Sequence, residues 1–185
     1  MRRQAAFLLA ALVLLAAASP TRSYKKALRE DTRELVLYQG FQTALIMRAT
    51  LLTPEFRGAY AEERRRLTGT HNEEHADFLR RNSEDAAVYY EVVFSSDSGL
   101  PEHHFGTTDQ GWRLRLEADG QAQELVTVHE IRDPTTVQRA LFKHLNIWSE
   151  LWVARFAKTV NAPRVVELHV GSGYGHGTLT WGDRE

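Results

Sequence analysis

The sequence of 185 residues contains no cysteine. This absence excludes disulfide bonds, thiolate metal sites, a cysteine nucleophile and a lipid-modified N-terminal cysteine. A fold without disulfides has to be held together by its core, and a chain of this length can bury a large one. One globular domain is therefore the expected organisation.

The chain also lacks an apolar run long enough for an ordinary transmembrane helix. Its longest run, Ala5–Ala18, is shorter than the roughly 20 residues that a spanning helix needs. Two arginines precede the run and Ser19-Pro20 follows it, which is typical of a secretory signal peptide. We expect a signal peptide at residues 1–18 and a domain at 19–185 that is exported to the periplasm or the extracellular space. Membrane contact is expected only if the segment is retained as an uncleaved anchor.

A strong excess of either charge is missing too. The chain has 23 basic and 24 acidic side chains, a net charge of −1. Cleavage after residue 18 removes two arginines and leaves 21 basic against 24 acidic side chains, a net charge of −3. No nucleic-acid partner is expected, because the phosphate backbone is bound by an excess of positive charge.

Two common catalytic patterns are absent from the sequence: a G-x-S-x-G nucleophile elbow and a G-x-G-x-x-G phosphate loop. Glycines do cluster between 171 and 177, but at a spacing of two and with no helix after them. This spacing predicts a flexible hairpin loop between strands Val165–Val170 and Thr178–Trp181.

The clearest pattern that is present is the alternation of apolar and charged residues over Trp112–Glu117. In a strand it places Trp112, Leu114 and Leu116 on one face, against a core, and the charged residues on the other. The turn Asp119-Gly120 follows, and the run Glu124–Arg132 is predicted to return beside it.

A pair of helices is predicted over Pro54–Arg81. Thr53 is a good N-cap before Pro54, and Gly69 is a typical helix end. Thr70 and Glu73 have the spacing of a capping box for the second helix, which the polar stretch Arg80–Asp85 should end.

Other elements are predicted from composition and turn signals. Strands are expected at Leu35–Tyr38, Phe41–Leu52, Val88–Ser96 and Leu151–Phe156, with a turn at Gln39-Gly40; short helices are expected at Ser23–Asp31 and from Asp133-Pro134, and a long polar loop at Asp97–Thr108. About eight strands and three or four helices result. Because short turns join the strands, we predict an α+β fold: an antiparallel immunoglobulin-like β-sandwich with an inserted helical hairpin.

Three stretches, Leu37–Phe41, Arg48–Phe56 and Trp112–Leu114, resemble an uncharacterised group of exported bacterial proteins, many of them described as lipoproteins. The resemblance covers most of the chain after the signal segment, and it implies export but no activity, cofactor or catalytic residue. Lipid anchoring does not carry over, because Ala17-Ala18-Ser19-Pro20 stands where such proteins have a cysteine.

The sharpest candidate for chemistry is the segment from His71 to His75, which has the form H-x-x-E-H. On a helix both histidines share a face and could bind one zinc ion, with Glu74 placed to activate a water molecule. A third ligand has to come from elsewhere, for example from His103-His104. The alternative is a solvated helix start.

The remaining histidines and the tryptophans carry weaker signals. His129, His144 and His169 lie inside strand or helix patterns and are predicted to be packing or surface residues. Two exposed indoles on one sheet face would bind sugars, but alternation with polar neighbours predicts that Trp112, Trp152 and Trp181 belong to the core. The fourth tryptophan is Trp148.

These observations predict an envelope or extracellular protein that acts by binding or scaffolding rather than by catalysis, with no cofactor and with an unidentified protein or envelope component as its partner. One alternative is a zinc-binding protein or metallohydrolase that uses His71 and His75. The other is a carbohydrate-binding sandwich module.

Overall fold

The structure, a computed structural model, describes residues 23–98, 104–106, 111–146 and 148–183. Its four helices are α1 (Tyr24–Asp31), α2 (Pro54–Thr68), α3 (Asn72–Val88) and α4 (Thr136–Leu141). Its ten strands are β1 (Thr32–Gln39), β2 (Gln42–Leu51), β3 (Tyr89–Asp97), β4 (Phe105–Gly106), β5 (Trp112–Ala118), β6 (Gln121–Gln123), β7 (Leu125–Ile131), β8 (Glu150–Ala157), β9 (Val165–Ser172) and β10 (Gly175–Gly182). The predicted signal peptide and His103 lie outside the described residues.

The strands form two sheets, and the α+β prediction is confirmed. Sheet A has the order β1-β2-β3-β8-β7, and sheet B has the order β10-β9-β5-β4, with β6 paired to β5. Every described pair of strands is antiparallel except β4 with β5. One apolar core takes side chains from both sheets, so their arrangement is sandwich-like.

The alternation that begins at Trp112 is confirmed in strand β5. Trp112, Leu114 and Leu116 are buried in the core between the sheets, and Arg113 and Arg115 are exposed. The outer face of sheet B therefore meets water, whereas the outer face of sheet A is covered by helices.

The predicted partner of this strand is wrong. The turn at Asp119-Gly120 leads only into the three-residue strand β6, and β7 then pairs with β8 in sheet A. The buried side chain of Gln123 accepts hydrogen bonds from the backbone and hydroxyl of Thr159, beyond the end of β8. These bonds hold the chain where it passes from one sheet to the other.

The helix pair lies between β2 and β3, as predicted, but its second cap was not predicted correctly. Thr53 accepts a hydrogen bond from Phe56 N, and Gly69 ends α2 with φ 64°. The capping box at Thr70 is wrong: the N-cap of α3 is His71, whose side chain makes no capping bond. Helix α3 also continues beyond the polar stretch, to Val88. Most of those polar side chains face water, and Asn82 and Asp85 have polar partners on α2 and sheet A.

Two further boundaries differ from the predictions. Helix α4 is capped by Thr135, which forms a capping box with Gln138, so Asp133-Pro134 precedes its start. Within the predicted polar loop, Phe105 belongs to β4 and packs edge-on against Phe94 and Trp152 in the core. An isolated phenylalanine among polar residues gives no periodic signal, so sequence alone did not reveal this strand.

A second apolar cluster joins the helices to the outer face of sheet A. Phe56 of α2 and Leu141 of α4 pack there against Val93 and Val153. Tyr24 of α1 donates a hydrogen bond from its hydroxyl to the carbonyl oxygen of Leu141 at 2.6 Å. None of the helices in the described ranges is both long and apolar enough to cross a membrane.

Candidate functional site

A cluster of charged side chains lies where the helix pair meets the outer face of sheet A. Glu91 of β3 accepts a hydrogen bond from Arg155 Nε on β8 at 2.9 Å. Arg57 Nη2 of α2 lies 3.7 Å from the same carboxylate oxygen, and Arg155 Nη2 lies 3.4 Å from Asp85 of α3. The two arginines and two acids therefore form one network that links α2 and α3 to the sheet.

Arg57 is the most buried member of this network, with 4% of its surface exposed. Its Nε donates to the carbonyl oxygen of Leu52, and its Nη1 donates to Asn82 Oδ1 at 2.8 Å. Burial lowers the pKa of Arg57, and the negative charge of Glu91 acts in the opposite direction. These contacts fix the guanidinium in place.

A cavity of about 310 Å³ adjoins the charged cluster. Its apolar lining comes from the sheet and from aromatic side chains of α2, α3 and the end of α4: Tyr60, Phe78, Val93, Phe142, Leu151 and Val153. Helix α3 contributes Arg81, Asn82 and Asp85, whose spacing from Phe78 places all four on one helix face. Glu91, Arg155 and Gln138 complete the polar part of the lining. Apolar walls combined with convergent polar groups are typical of small-molecule sites.

Two donor groups at the cavity lack an acceptor. The Nδ2 amide of Asn82 is buried and makes no hydrogen bond, because its Oδ1 is held by Arg57. Arg81 lines the cavity from an exposed position and forms no hydrogen bond or ion pair with any residue that the structure describes. Buried donors without acceptors are rare in folded proteins, so the Asn82 amide favours an acceptor from a ligand, whereas the exposed Arg81 supplies a positive charge beside it.

The predicted zinc ligands His71 and His75 lie at the other end of the helix pair. His71 is exposed at the N-cap of α3. His75 is 9% exposed, and its Nε2 lies 3.0 Å from Glu62 Oε1 of α2. The ring of His75 therefore links the two helices, and zinc binding by this pair stays a prediction.

The tryptophans behave as their patterns predict. Trp112, Trp152 and Trp181 are between 2% and 7% exposed and belong to the core, which confirms that prediction. Trp148 is 78% exposed. All four lie within the described residues, so Trp148 has no second exposed indole with which to form a sugar-stacking pair.

The glycine-rich segment is a hairpin, as predicted, although its turn is shorter than expected. Only Gly173 and Tyr174 form the turn, and the flanking glycines belong to β9 and β10. Packing explains the absence of a side chain at Gly177, because a Cβ there would lie 2.5 Å from a methyl carbon of Leu35 on β1.

A larger hollow of about 500 Å³ lies near the end of the sheets, beside Tyr90 and Trp181. Two of its polar side chains are already engaged: Arg33 donates to the carbonyl oxygens of Glu30 and Thr180, and Trp181 Nε1 donates to the carbonyl oxygen of Asp31. Such contacts favour a structural role for this hollow.

The sequence predictions did not include Arg57, Arg81 or Glu91 among the candidate site residues. A signal was present for two of them. Glu91 interrupts an apolar strand, and Arg57 lies beside the apolar stripe of α2 that includes Phe56. A charge inside an apolar pattern requires a partner when it is buried.

Comparison with known proteins assigns no family to this chain. No protein-family model matches the sequence, and no curated protein matches it either. The evidence for a function therefore comes from the chemistry of the cavity and its surroundings.

Proposed function

We propose that this protein is an exported binding protein that holds a small amphipathic carboxylate in the cavity between sheet A and the helices. One observation carries the proposal: the buried Nδ2 amide of Asn82 lacks an acceptor, and Asn82 lines a cavity in which apolar walls meet charged side chains. Each such donor costs about 1–3 kcal/mol when it is left unpaired, and a bound acceptor removes this cost.

The charges around the cavity favour an acid over an amine. Glu91 already contacts Arg57 and Arg155, and Asp85 contacts Arg155. Arg81 is then the positive charge that has no partner among the described residues. A carboxylate matches its planar guanidinium and can also accept from the amide of Asn82.

The size and lining of the cavity limit the remainder of the ligand. About 310 Å³ lies at the lower end of the usual range for small-molecule sites, roughly 300–1,000 Å³. Tyr60, Phe78 and Phe142 supply aromatic walls. A single aromatic ring or a short alkyl chain suits this space.

The lining favours binding rather than catalysis. The described residues around the cavity include no serine, threonine, histidine or lysine. Tyr60 is the one hydroxyl side chain among them, and burial raises its pKa, so the phenol keeps its proton and is a weak acid. These groups support the binding of a ligand.

Export is part of the same proposal and has a separate basis. It is supported by the basic start, the apolar run Ala5–Ala18 and the small residues that follow it. The resemblance to exported bacterial proteins agrees with this. An envelope location would make the protein a periplasmic or extracellular carrier of its ligand.

The finer fold class, an immunoglobulin-like sandwich, is also a proposal. Two sheets that share one core and are almost wholly antiparallel support it. The consecutive neighbours β1-β2-β3 and the helical layer on sheet A would be departures from that class. An experimental structure compared with immunoglobulin-like domains tests this classification.

The binding proposal is tested with three probes that share a phenylpropyl skeleton and differ in their polar group: 3-phenylpropionate, 3-phenylpropylamine and 3-phenylpropanol. Each is titrated into the ¹⁵N-labelled protein while amide and side-chain shifts are followed. We expect the acid to bind best and to shift the Asn82 side-chain signals, because only the acid offers a carboxylate. Arg81→Ala should weaken binding of the acid at least tenfold and leave binding of the alcohol unchanged.

Arg29→Ala is the matched control, because Arg29 is an exposed arginine on α1. It should leave all three affinities as they are in the parent. Absence of shifts at residues 81 and 82 with every probe would contradict the proposed site. Equal affinity for the acid and the amine would contradict the carboxylate preference.

A further inference from the structure

Three potential metal ligands converge on the outer face of sheet B, away from the cavity. Glu117 of β5 lies directly opposite Glu167 of β9, and His169 is two residues further along β9 on the same face. One ligand atom from each of the three side chains lies within 4.8 Å of the others. Among the described residues this is the one cluster that meets that distance criterion.

The imidazole of His169 is oriented towards the two carboxylates. Its Nδ1 lies 3.0 Å from the hydroxyl of Thr178 on β10, so the ring can donate there and leave Nε2 as an acceptor. Nε2 is buried, makes no hydrogen bond and lies 3.6 Å from Glu117 Oε2. In metal-binding histidines, a hydrogen bond from the ring nitrogen that does not face the metal fixes the tautomer.

The distance between these two atoms suits one shared ion. In tetrahedral zinc sites with bonds of about 2.0–2.2 Å, two ligand atoms lie roughly 3.3–3.6 Å apart. The third ligand, Glu167, is also held, because its Oε1 accepts from the Thr180 hydroxyl at 3.4 Å. Three strands thus position the donor atoms on a rigid surface.

The carboxylates of Glu117 and Glu167 face each other and repel, so a positive charge between them would stabilise the sheet. Like charges directly opposite each other on paired strands destabilise a sheet, and the side chain of Glu117 is only 19% exposed. Arg115 Nη2 contacts Glu117 Oε1 at 2.9 Å, but this arginine is 63% exposed and uses the oxygen that does not face His169. A dication bound by both carboxylates would relieve the repulsion between them.

We propose that Glu117, Glu167 and His169 form a binding site for a transition-metal dication of the zinc type. Two carboxylates and one imidazole suit zinc, whereas calcium and magnesium usually take more oxygen ligands. Three protein ligands on a solvent-facing sheet leave the fourth position to water. The site is independent of the proposed ligand cavity, which lies on the other sheet.

The proposal is tested on the full chain, freed of any affinity tag and stripped of metal. Zinc chloride is titrated calorimetrically, with magnesium chloride as a contrast, and cobalt(II) serves as an absorption probe of the ligand geometry. We expect one zinc ion per chain and no comparable heat from magnesium. Glu167→Gln and His169→Gln should each weaken zinc binding at least tenfold.

Two controls separate this site from other sources of zinc binding. His71→Ala combined with His75→Ala should leave the stoichiometry unchanged, because those residues lie on the helix pair. Arg115→Ala should preserve or strengthen binding, because it removes a competing cation from Glu117. In the parent itself, zinc should shift the Nε2 signal of His169, a readout that does not depend on how the variants fold.

Failure of the folded parent to bind one equivalent of zinc would overturn the proposal. So would an unchanged affinity in the His169→Gln variant, or loss of the ion only when His71 and His75 are replaced. The last result would assign the metal to the helix pair instead.

Discussion

Arg57 Nη2 lies 3.7 Å from Glu91 Oε2, and both side chains are almost completely buried between helix α2 and sheet A. Removing one charge from such a pair leaves the other buried and uncompensated. We expect Glu91→Gln to lower the free energy of unfolding by about 3–5 kcal/mol. Urea unfolding monitored by circular dichroism measures this loss.

The matched control for Glu91 is Glu63→Gln on α2, where the partly exposed Glu63 contacts the exposed Arg66. This ion pair should contribute at most about 1 kcal/mol, because solvent screens it. Equal unfolding midpoints for the Glu91 and Glu63 variants would contradict the importance of burial for the Arg57–Glu91 pair.

The starts of helices α2 and α3 provide a test of capping. Thr53 accepts a hydrogen bond from Phe56 N at 3.1 Å, so Thr53→Ala should cost about 1 kcal/mol of stability. Thr70 precedes the N-cap of α3, and its hydroxyl contacts that of Thr68 on the exposed surface. Thr70→Ala should therefore leave the thermal midpoint unchanged. A larger loss at Thr70 than at Thr53 would restore the capping box that the sequence predicts.

Gly182 is expected to tolerate no side chain. Its φ is 87°, and a Cβ at this position would lie 1.9 Å from the carbonyl oxygen of Arg164. Gly182→Ala should cost roughly 2–4 kcal/mol, because it combines backbone strain with a clash against a backbone atom. Gly173→Ala is the control, since a Cβ there meets nothing within 4 Å. Comparable melting temperatures for the two variants would contradict this prediction.

His144 is expected to make stability depend on pH. Burial, assisted by the positive charge of Arg48, lowers the pKa of His144 from 6.5 to about 4. The unfolded chain then binds the proton more readily than the folded one, so stability falls as the pH falls from 6.5 to 4. The loss should reach about 3 kcal/mol at most, since one pKa unit corresponds to about 1.4 kcal/mol.

The measurement compares urea unfolding at pH 7 and pH 4.5 for the parent, His144→Asn and the exposed-site control His129→Asn. The parent and the control should lose more stability on acidification than the His144 variant does. An equal loss in all three proteins would show that His144 does not contribute to it.

Local patterns in the sequence predict much of this fold. The alternation from Trp112 specifies β5 and its buried face, and Thr53-Pro54 specifies the start of α2, because both signals depend only on neighbouring residues. The pairing of β7 with β8 could not be predicted in this way, since it depends on contacts such as that of Gln123 with Thr159. The same limit explains why Phe105 was assigned to a loop.

The candidate site was less predictable than the fold. Arg57, Glu91 and Arg155 are far apart in sequence and share no motif, and only the packing of helices against sheet A brings them together. His71 and His75 do form a recognisable motif, but the structure places His75 beside Glu62. The cluster of Glu117, Glu167 and His169 depends on the register between β5 and β9.

Contacts between the first and last described strands bear on the order in which the chain can fold. Arg33 Nε on β1 donates to the carbonyl oxygen of Thr180 on β10, and Trp181 Nε1 donates to the carbonyl oxygen of Asp31. These bonds join residues 147 and 150 positions apart, and contacts of such long range slow folding. The edges of the two sheets cannot meet until β10 has been synthesised. A chain emerging from the ribosome should therefore stay incompletely folded until β10 is available. Truncation before β10 should leave β1 paired with β2 but without its contacts to sheet B.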